Sequence, residues 1–393
     1  MTYFDYQATT PLAPEALAAM MPYLTGMFGN PHSAGHRYGW EARAGIEVAR
    51  KQVASVINAP TESILFTAGA TESNNLSLIG AMQAAPSGRN RLVTVATEHA
   101  CVLGAAAWLQ GQGVEVVLLP VAPDGLLDLD TLRDVMTPQT ALISVMLVNN
   151  EIGVIQPIAQ IAARAKAVGA LMHCDAAQAV GKIPVDVAAL GIDLMSLSAH
   201  KMYGPKGIGA LYRRPGVPLV PCLHGGGQEG GVRSGTQSPA LAAGFGAAAK
   251  LAAERMNDDQ AHAEACAATL LEKLKSLDMA YRLNGAADPR YAGNLNLSFA
   301  GVDGDRLMAG MRGFAVSSGA ACASGSGKPS HVLAALGIPS HLAKATLRIG
   351  FGRDTRLDDV SRLAEALHCA TQQARLYGDG AFPQDRRDTA QGG

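Results

Sequence analysis

The sequence is poor in charge: Asp, Glu, Lys and Arg make up 17% of its 393 residues, against 48% hydrophobic. That balance excludes a disordered chain, a coiled coil and a collagen-like repeat, and it leaves ample material for a buried core. Neither sign is in surplus, since 32 Lys and Arg stand against 33 Asp and Glu for a net charge of −1. Nothing is available to neutralise a run of phosphates, so nucleic acid is not expected as a partner. Long apolar runs are missing too. The most apolar segment, Pro239 to Ala253, is interrupted by Lys250, and Met1-Thr2-Tyr3-Phe4-Asp5 places no basic stretch ahead of an apolar one. A membrane span and a secretory leader are not expected, and the chain reads as cytoplasmic.

Cysteine is scarce and scattered, at 101, 174, 222, 266, 322 and 369, with no Cys-x-x-Cys. A zinc ribbon, a thioredoxin-like pair and a disulfide framework are excluded. Thiols so isolated read as small buried apolar groups unless their surroundings differ.

What is present is an alternation of strand-length apolar runs with stretches of helical period, the pattern of a mostly parallel sheet covered by helices. Strands are expected at Ile64-Thr67, Arg91-Ala96, Val114-Pro120, Ala141-Val148, Ala170-Cys174, Leu194-Ser198 and Ile208-Arg213. Helices fall between them at Thr71-Ala85, Ala100-Gln110, Thr131-Met136 and Ile158-Val168. These make a large α/β domain over 15–255. Pro239 to about Leu277 reads as a long Ala-rich helix leading into a smaller α+β domain, 1–14 with 256–377, that holds strands at Asn294-Phe299 and Thr346-Phe351. From Gly378 onward there is little to bury, and 378–393 is expected to be a frayed tail.

Six places can carry chemistry. The turn Gly69-Ala70-Thr71 follows a strand and opens a helix, where unpaired backbone N–H groups and the helix dipole suit a phosphate. The same turn is equally a tight connection with Thr71 as N-cap. His173-Cys174-Asp175-Ala176-Ala177-Gln178 ends one buried strand, and Ser198-Ala199-His200-Lys201 ends another. An Asp and a Lys at such ends meet at the carboxyl edge of the sheet, where α/β proteins place ligands. They suit a pyridoxal phosphate site: the amine bonds the cofactor aldehyde, and the carboxylate keeps the pyridine nitrogen protonated. Lys206 is a rival, but Lys201 follows its strand directly and is flanked by Ser198 and His200. His99, after the strand Arg91-Ala96, reads as a helix-start residue or as a ring-stacking acid–base group. Cys322 stands apart from the other thiols in Ser317-Ser318-Gly319-Ala320-Ala321-Cys322-Ala323-Ser324-Gly325, where small residues leave the sulfur unshielded and glycines allow movement over about 317–328. Arg348, alternating with apolar neighbours, reads as a surface charge or as a clamp for a substrate carboxylate.

In this order the motifs resemble the cysteine desulfurases that supply sulfur for iron–sulfur cluster assembly, within the aspartate-aminotransferase-like, fold type I pyridoxal phosphate enzymes. The resemblance runs through DYQATTP (5–11), FGNP (28–31), GATESNN (69–75), TEH (97–99), NNEIG (149–153), HCDAAQAVGK (173–182), SLSAHKMYGPKGIG (196–209), HGGGQEGGVRSGT (224–236), SSGAACAS (317–324) and Arg348. The longer cysteine loop is similar to that of the housekeeping and nitrogen-fixation type. The resemblance implies that Lys201 carries the cofactor, Asp175 pairs with the pyridine nitrogen, Gln178 bonds the phenolic oxygen and His99 stacks on the ring. It places Ala70, Thr71, Ser198 and His200 around the phosphate, with Thr236 reaching it from a neighbouring subunit of a homodimer. Asn150 and Arg348 would orient L-cysteine, and Cys322 would take its sulfur as a persulfide for an acceptor or scaffold protein. No resident metal is implied, Cys322 being the one candidate for transient contact with an iron–sulfur unit. Ala177, Ala320 and Ala323 depart from the family's usual residues by small-for-small changes, and the tail after Tyr377 does not resemble its scaffold-docking segment. Two other readings keep the fold: a selenocysteine lyase or related enzyme that bypasses Cys322, and a non-catalytic scaffold.

Overall fold

A computed structural model describes residues 1–318 and 330–375. Seven strands form one sheet, in the order Ile64–Thr67, Gly209–Arg213, Leu194–Ser198, Leu171–Asp175, Thr140–Ser144, Arg91–Val95 and Glu115–Leu119. Only Gly209–Arg213 runs antiparallel to its neighbours. The interior strands are buried along nearly their whole length and mostly apolar because helices cover both faces. Alternation then sorts the side chains: Leu92, Leu142 and Leu194 enter one core, while Val93, Ile143 and Met195 enter the other.

A second sheet of four strands, in the order Ser317–Ser318, Thr346–Gly350, Asn294–Ser298 and Arg282–Leu283, is antiparallel throughout. The helix Leu357–Gln373 lays Val360, Leu363 and Leu367 on it, closing a separate core with Phe4, Leu297 and Ile349. The helix Pro239–Ser276 joins the two cores. It starts with Ser238 as N-cap and Pro239 in its first turn, buries Phe245 and Ala249 in the large core, and buries Cys266, Leu270 and Leu274 in the small one. The strand Thr2–Tyr3 pairs in parallel with Phe314–Ala315, bringing the following residues over the carboxyl edge of the large sheet.

Where the apolar run predicts a strand over Ala141-Val148, the strand stops at Ser144. Val145 and Leu147 still donate to His173 and Asp175 carbonyls on one side. On the other side the buried Glu98 carboxylate takes the Met146 N–H at 2.6 Å, which ends the ladder. The chain then turns through NNEIG: Asn149 Oδ1 accepts from Glu151 and Ile152 N–H groups, and Gly153 sits at φ 72°, where a Cβ would lie 2.9 Å from the Asn294 carbonyl oxygen. No helix among the described residues is long and apolar enough to cross a membrane.

Candidate active site

At the carboxyl edge of the seven-stranded sheet lies a cavity of about 920 Å³, lined by His99, Asn150, Asp175, Gln178, Lys201 and Arg348 among others. Ala70, Thr71, Ser198 and His200 line it as well. Most arrive from a strand end of the large sheet or the segment after it, the place where parallel strands expose backbone and helix N-termini to a ligand, while Arg348 comes from the middle of Thr346–Gly350 in the small sheet.

Lys201 sits on the single 3-10 turn Ala199–Lys201 after the strand Leu194–Ser198, and its Nζ donates to the Gln7 carbonyl at 2.5 Å and the Ala8 carbonyl at 2.8 Å. Lys206 also reaches the cavity. Asp175 closes the strand Leu171–Asp175 and is 5% exposed. Its Oδ2 accepts from Asn74 Nδ2 at 2.7 Å, and its Oδ1 accepts from the Ala177 N–H at 2.9 Å. His99 caps the helix Ala100–Gly111, with Nδ1 accepting from the Cys101 N–H. Burial, and then the Lys201 and His331 charges, hold its pKa down against the pull of Asp175, which favours the neutral imidazole.

The turn before the helix Ala70–Gln83 presents that helix's first N–H groups to the cavity, and Gly209 lets it approach: a Cβ there would lie 2.6 Å from the Gly69 Cα. His200 is pushed down to about 4 by burial and by the neighbouring Lys201, Lys206 and Lys182. That electropositive corner suits an anion.

Arg348 is buried, contrary to the surface-charge reading of its strand. Its Nη2 donates to Asp5 Oδ1 at 2.8 Å and to Ser317 Oγ at 3.0 Å, while Nη1 donates to the Asn150 carbonyl at 3.1 Å. Its Nε has no hydrogen-bond partner among the described residues. Alternation along Thr346–Gly350 sends this side chain toward the cavity and its apolar neighbours, Leu347 and Ile349, into the small core.

Several lining or supporting groups had no assigned role in the sequence reading. The Gln7 carbonyl holds Lys201, and Asn74 holds Asp175; both lie in quoted motifs, but the contacts join segments far apart in the chain. Cys101, expected to be an ordinary buried thiol, lines the cavity with Sγ 3.0 Å from His99 Nδ1. Its place two residues after a helix-capping His was the available signal. Burial and the Asp175 charge push this thiol up to about 11. Thr236 is exposed and does not line this cavity within one chain. Cys322, the segment about 317–328 beyond Ser318, and the tail 378–393 lie outside the described residues.

The donor set fits pyridoxal 5'-phosphate. A lysine amine, a buried carboxylate, an imidazole and a helix N-terminus converge on one cavity, and the unpartnered Arg348 Nε lies at its side. Fold and cavity together define a pyridoxal-phosphate enzyme of the aspartate-aminotransferase-like fold.

The comparisons agree. The class-V aminotransferase family model matches residues 2–363. A cysteine desulfurase IscS from Rickettsia akari (strain Hartford) is 49% identical over 360 residues, covering 91% of this chain and 88% of that protein. Among solved structures, a NifS-like protein superposes with a TM-score of 0.88 at 32% identity, covering 95% of this chain and 99% of that one. The structure described as SspA in complex with cysteine gives 0.80 at 37% identity, covering 90% and 99%. The chain belongs to the class-V aminotransferase family and, within it, to the cysteine desulfurases.

Proposed function

We propose that this chain moves the sulfur of L-cysteine onto Cys322, releasing L-alanine and leaving a persulfide for iron–sulfur cluster assembly. The observation that carries the reading is the convergence of Lys201, Asp175, His99 and Arg348 on one cavity in a chain 49% identical to a named cysteine desulfurase.

Pyridoxal phosphate, when bound, supplies an aldehyde for the substrate amine and a ring that draws electrons from the substrate Cα. The chain's residues do the rest. Ala70, Thr71, Ser198 and His200 hold the phosphate, with Thr236 of a second copy completing the set. Asp175, pinned by Asn74, keeps the pyridine nitrogen protonated. Gln178 bonds the phenolic oxygen, and His99 stacks on the ring as a neutral imidazole. Lys201 anchors the cofactor and then moves the Cα proton, while the Gln7 and Ala8 carbonyls hold its amine when it is not so engaged. Arg348 and Asn150 orient the substrate carboxylate. The Cys322 thiolate attacks the substrate sulfur: an S–S bond forms, the C–S bond breaks, and the electron pair left on carbon takes up a proton as alanine is made.

A homodimer is part of the proposal. Phe28 is 69% exposed and packs on the exposed Tyr38, ring centroids 5.4 Å apart, an apolar surface that a second copy would cover. We also assign 15–255 to the large domain and 1–14 with 256–377 to the small one. The acceptor is a protein that receives persulfide sulfur.

A single turnover of the cofactor-loaded protein with L-cysteine tests the reading. The expected result is alanine together with one extra sulfur on the peptide containing Cys322. Alanine that persists in Cys322→Ala would overturn the persulfide route in favour of a lyase, and no alanine would overturn the activity itself.

A further inference from the structure

Lys182 is buried behind the cavity, outside its lining, and the chemistry above does not use it. A lysine in such a place is costly unless its amine is hydrogen-bonded to some purpose. Its Nζ donates to Gln178 Oε1 at 2.5 Å and lies 5.5 Å from the centroid of the Tyr291 ring. On the opposite side of the same amide, Gln178 Nε2 donates to the Gln7 carbonyl at 2.8 Å. The two neighbours agree on one polarity. A backbone carbonyl only accepts, so Nε2 must face Gln7; the amine then meets Oε1 as a donor. One Nε2 hydrogen remains, on a side chain that lines the cavity.

We propose that Lys182 is a positioning residue: it locks the Gln178 amide so that an N–H, not the carbonyl, is offered to the phenolic oxygen of the bound cofactor. The inference rests on the role given to Gln178 above. Burial, with the positive charges of Lys201 and Arg348, pushes the Lys182 pKa well down, and a neutral amine still donates to Oε1. An N–H on the phenolic oxygen favours its anionic form and so makes the cofactor's linkage to Lys201 less basic. Without Lys182 only the Gln7 carbonyl still orients the amide, Oε1 loses its donor, and that preference weakens.

The test is a pH titration of the visible absorbance of the cofactor-loaded protein, with no substrate present. Lys182→Met is expected to raise the midpoint by about half a pH unit or more. Gln178→Leu should raise it at least as far, and the double variant should match Gln178→Leu alone, because one residue acts through the other. Lys182→Gln, which restores an N–H without a charge, should return the midpoint toward wild type. Lys182→Met leaves the buried Gln178 Oε1 without a donor and should lower the melting temperature modestly; should Lys182→Met precipitate, Lys182→Gln against Gln178→Leu still decides. An unmoved midpoint in Lys182→Met, additive shifts in the double variant, or a Gln variant that behaves like Met would each overturn the proposal. A wild-type protein that takes up no cofactor would remove the reading of the cavity and this proposal with it.

Discussion

The two sides of the cavity are built differently. On the cofactor side, Asp175 and Lys201 stand at or just after the ends of strands in the seven-stranded sheet, held by short contacts to backbone and to Asn74. On the substrate side, Arg348 comes from the small sheet and is held by Asp5, Ser317 and the Asn150 carbonyl, three segments that meet only in the folded chain. One side rises from a single sheet, with the Gln7 and Ala8 carbonyls closing over Lys201; the other is a meeting of two. A fault on the first should cost chemistry, and a fault on the second should cost substrate affinity.

The strongest test of this contrast is Lys201→Ala, which removes both the anchor and the proton carrier and should lower alanine formation by about 10³-fold or more. Reduction followed by mass spectrometry should find no cofactor on the peptide of residue 201. Asp175→Asn can keep only one of the Asn74 and Ala177 donors and loses the charge; kcat should fall by about 10²-fold with little change in KM. Arg348→Lys moves the loss to the other side. A missing charged hydrogen bond is worth about 1.5–3 kcal/mol, so kcat/KM should fall by roughly 10- to 100-fold, mostly through KM. Asp5→Asn should cost under about tenfold, because Arg348 keeps its Asn150 and Ser317 partners. If Asp5→Asn lowered kcat as far as Asp175→Asn does, the division between the two sides would be wrong.

The last effect concerns stability rather than rate. His173 is fully buried between Ser144 Oγ and Ser196 Oγ, and burial pushes its pKa down to about 3 from the ordinary 6.5. The unfolded chain binds this proton more readily, so the contribution is complete above pH 6.5 and is lost as pH falls from there toward about 3. The loss can reach about 1.4 kcal/mol per pH unit. Urea midpoints of wild type and His173→Asn across that range should show a shallower acid decline in the variant.

Much of this was legible in the residue order. Buried parallel strands read as unbroken apolar runs, so the strand ends, and with them Asp175 and Lys201, could be located before any fold was known. The same signal overran at Ala141-Val148, because an apolar run does not reveal that the Glu98 carboxylate takes the next N–H. Arg348 alternates with apolar residues in the manner of a surface strand; its burial depends on Asp5, whose contact joins residues 343 positions apart. Periodicity cannot register such a pairing, nor the one between Gln7 and Lys201. Cys101 was misjudged for a related reason, since composition treats a thiol as packing material and only the cap at His99 turns it toward the cavity.

The wiring of residues 2–10 has a consequence for how the protein is made. Their partners include Gly293, Ala315 and Gly350, all far downstream. At about 5–20 residues per second, these first-synthesised residues wait on the order of half a minute before their partners leave the ribosome. The seven strands of the large sheet can form meanwhile, but the carbonyls that hold Lys201 arrive last. Completion of the catalytic lysine's surroundings is therefore a late event in biogenesis, reporting that nearly the whole chain has been made and folded.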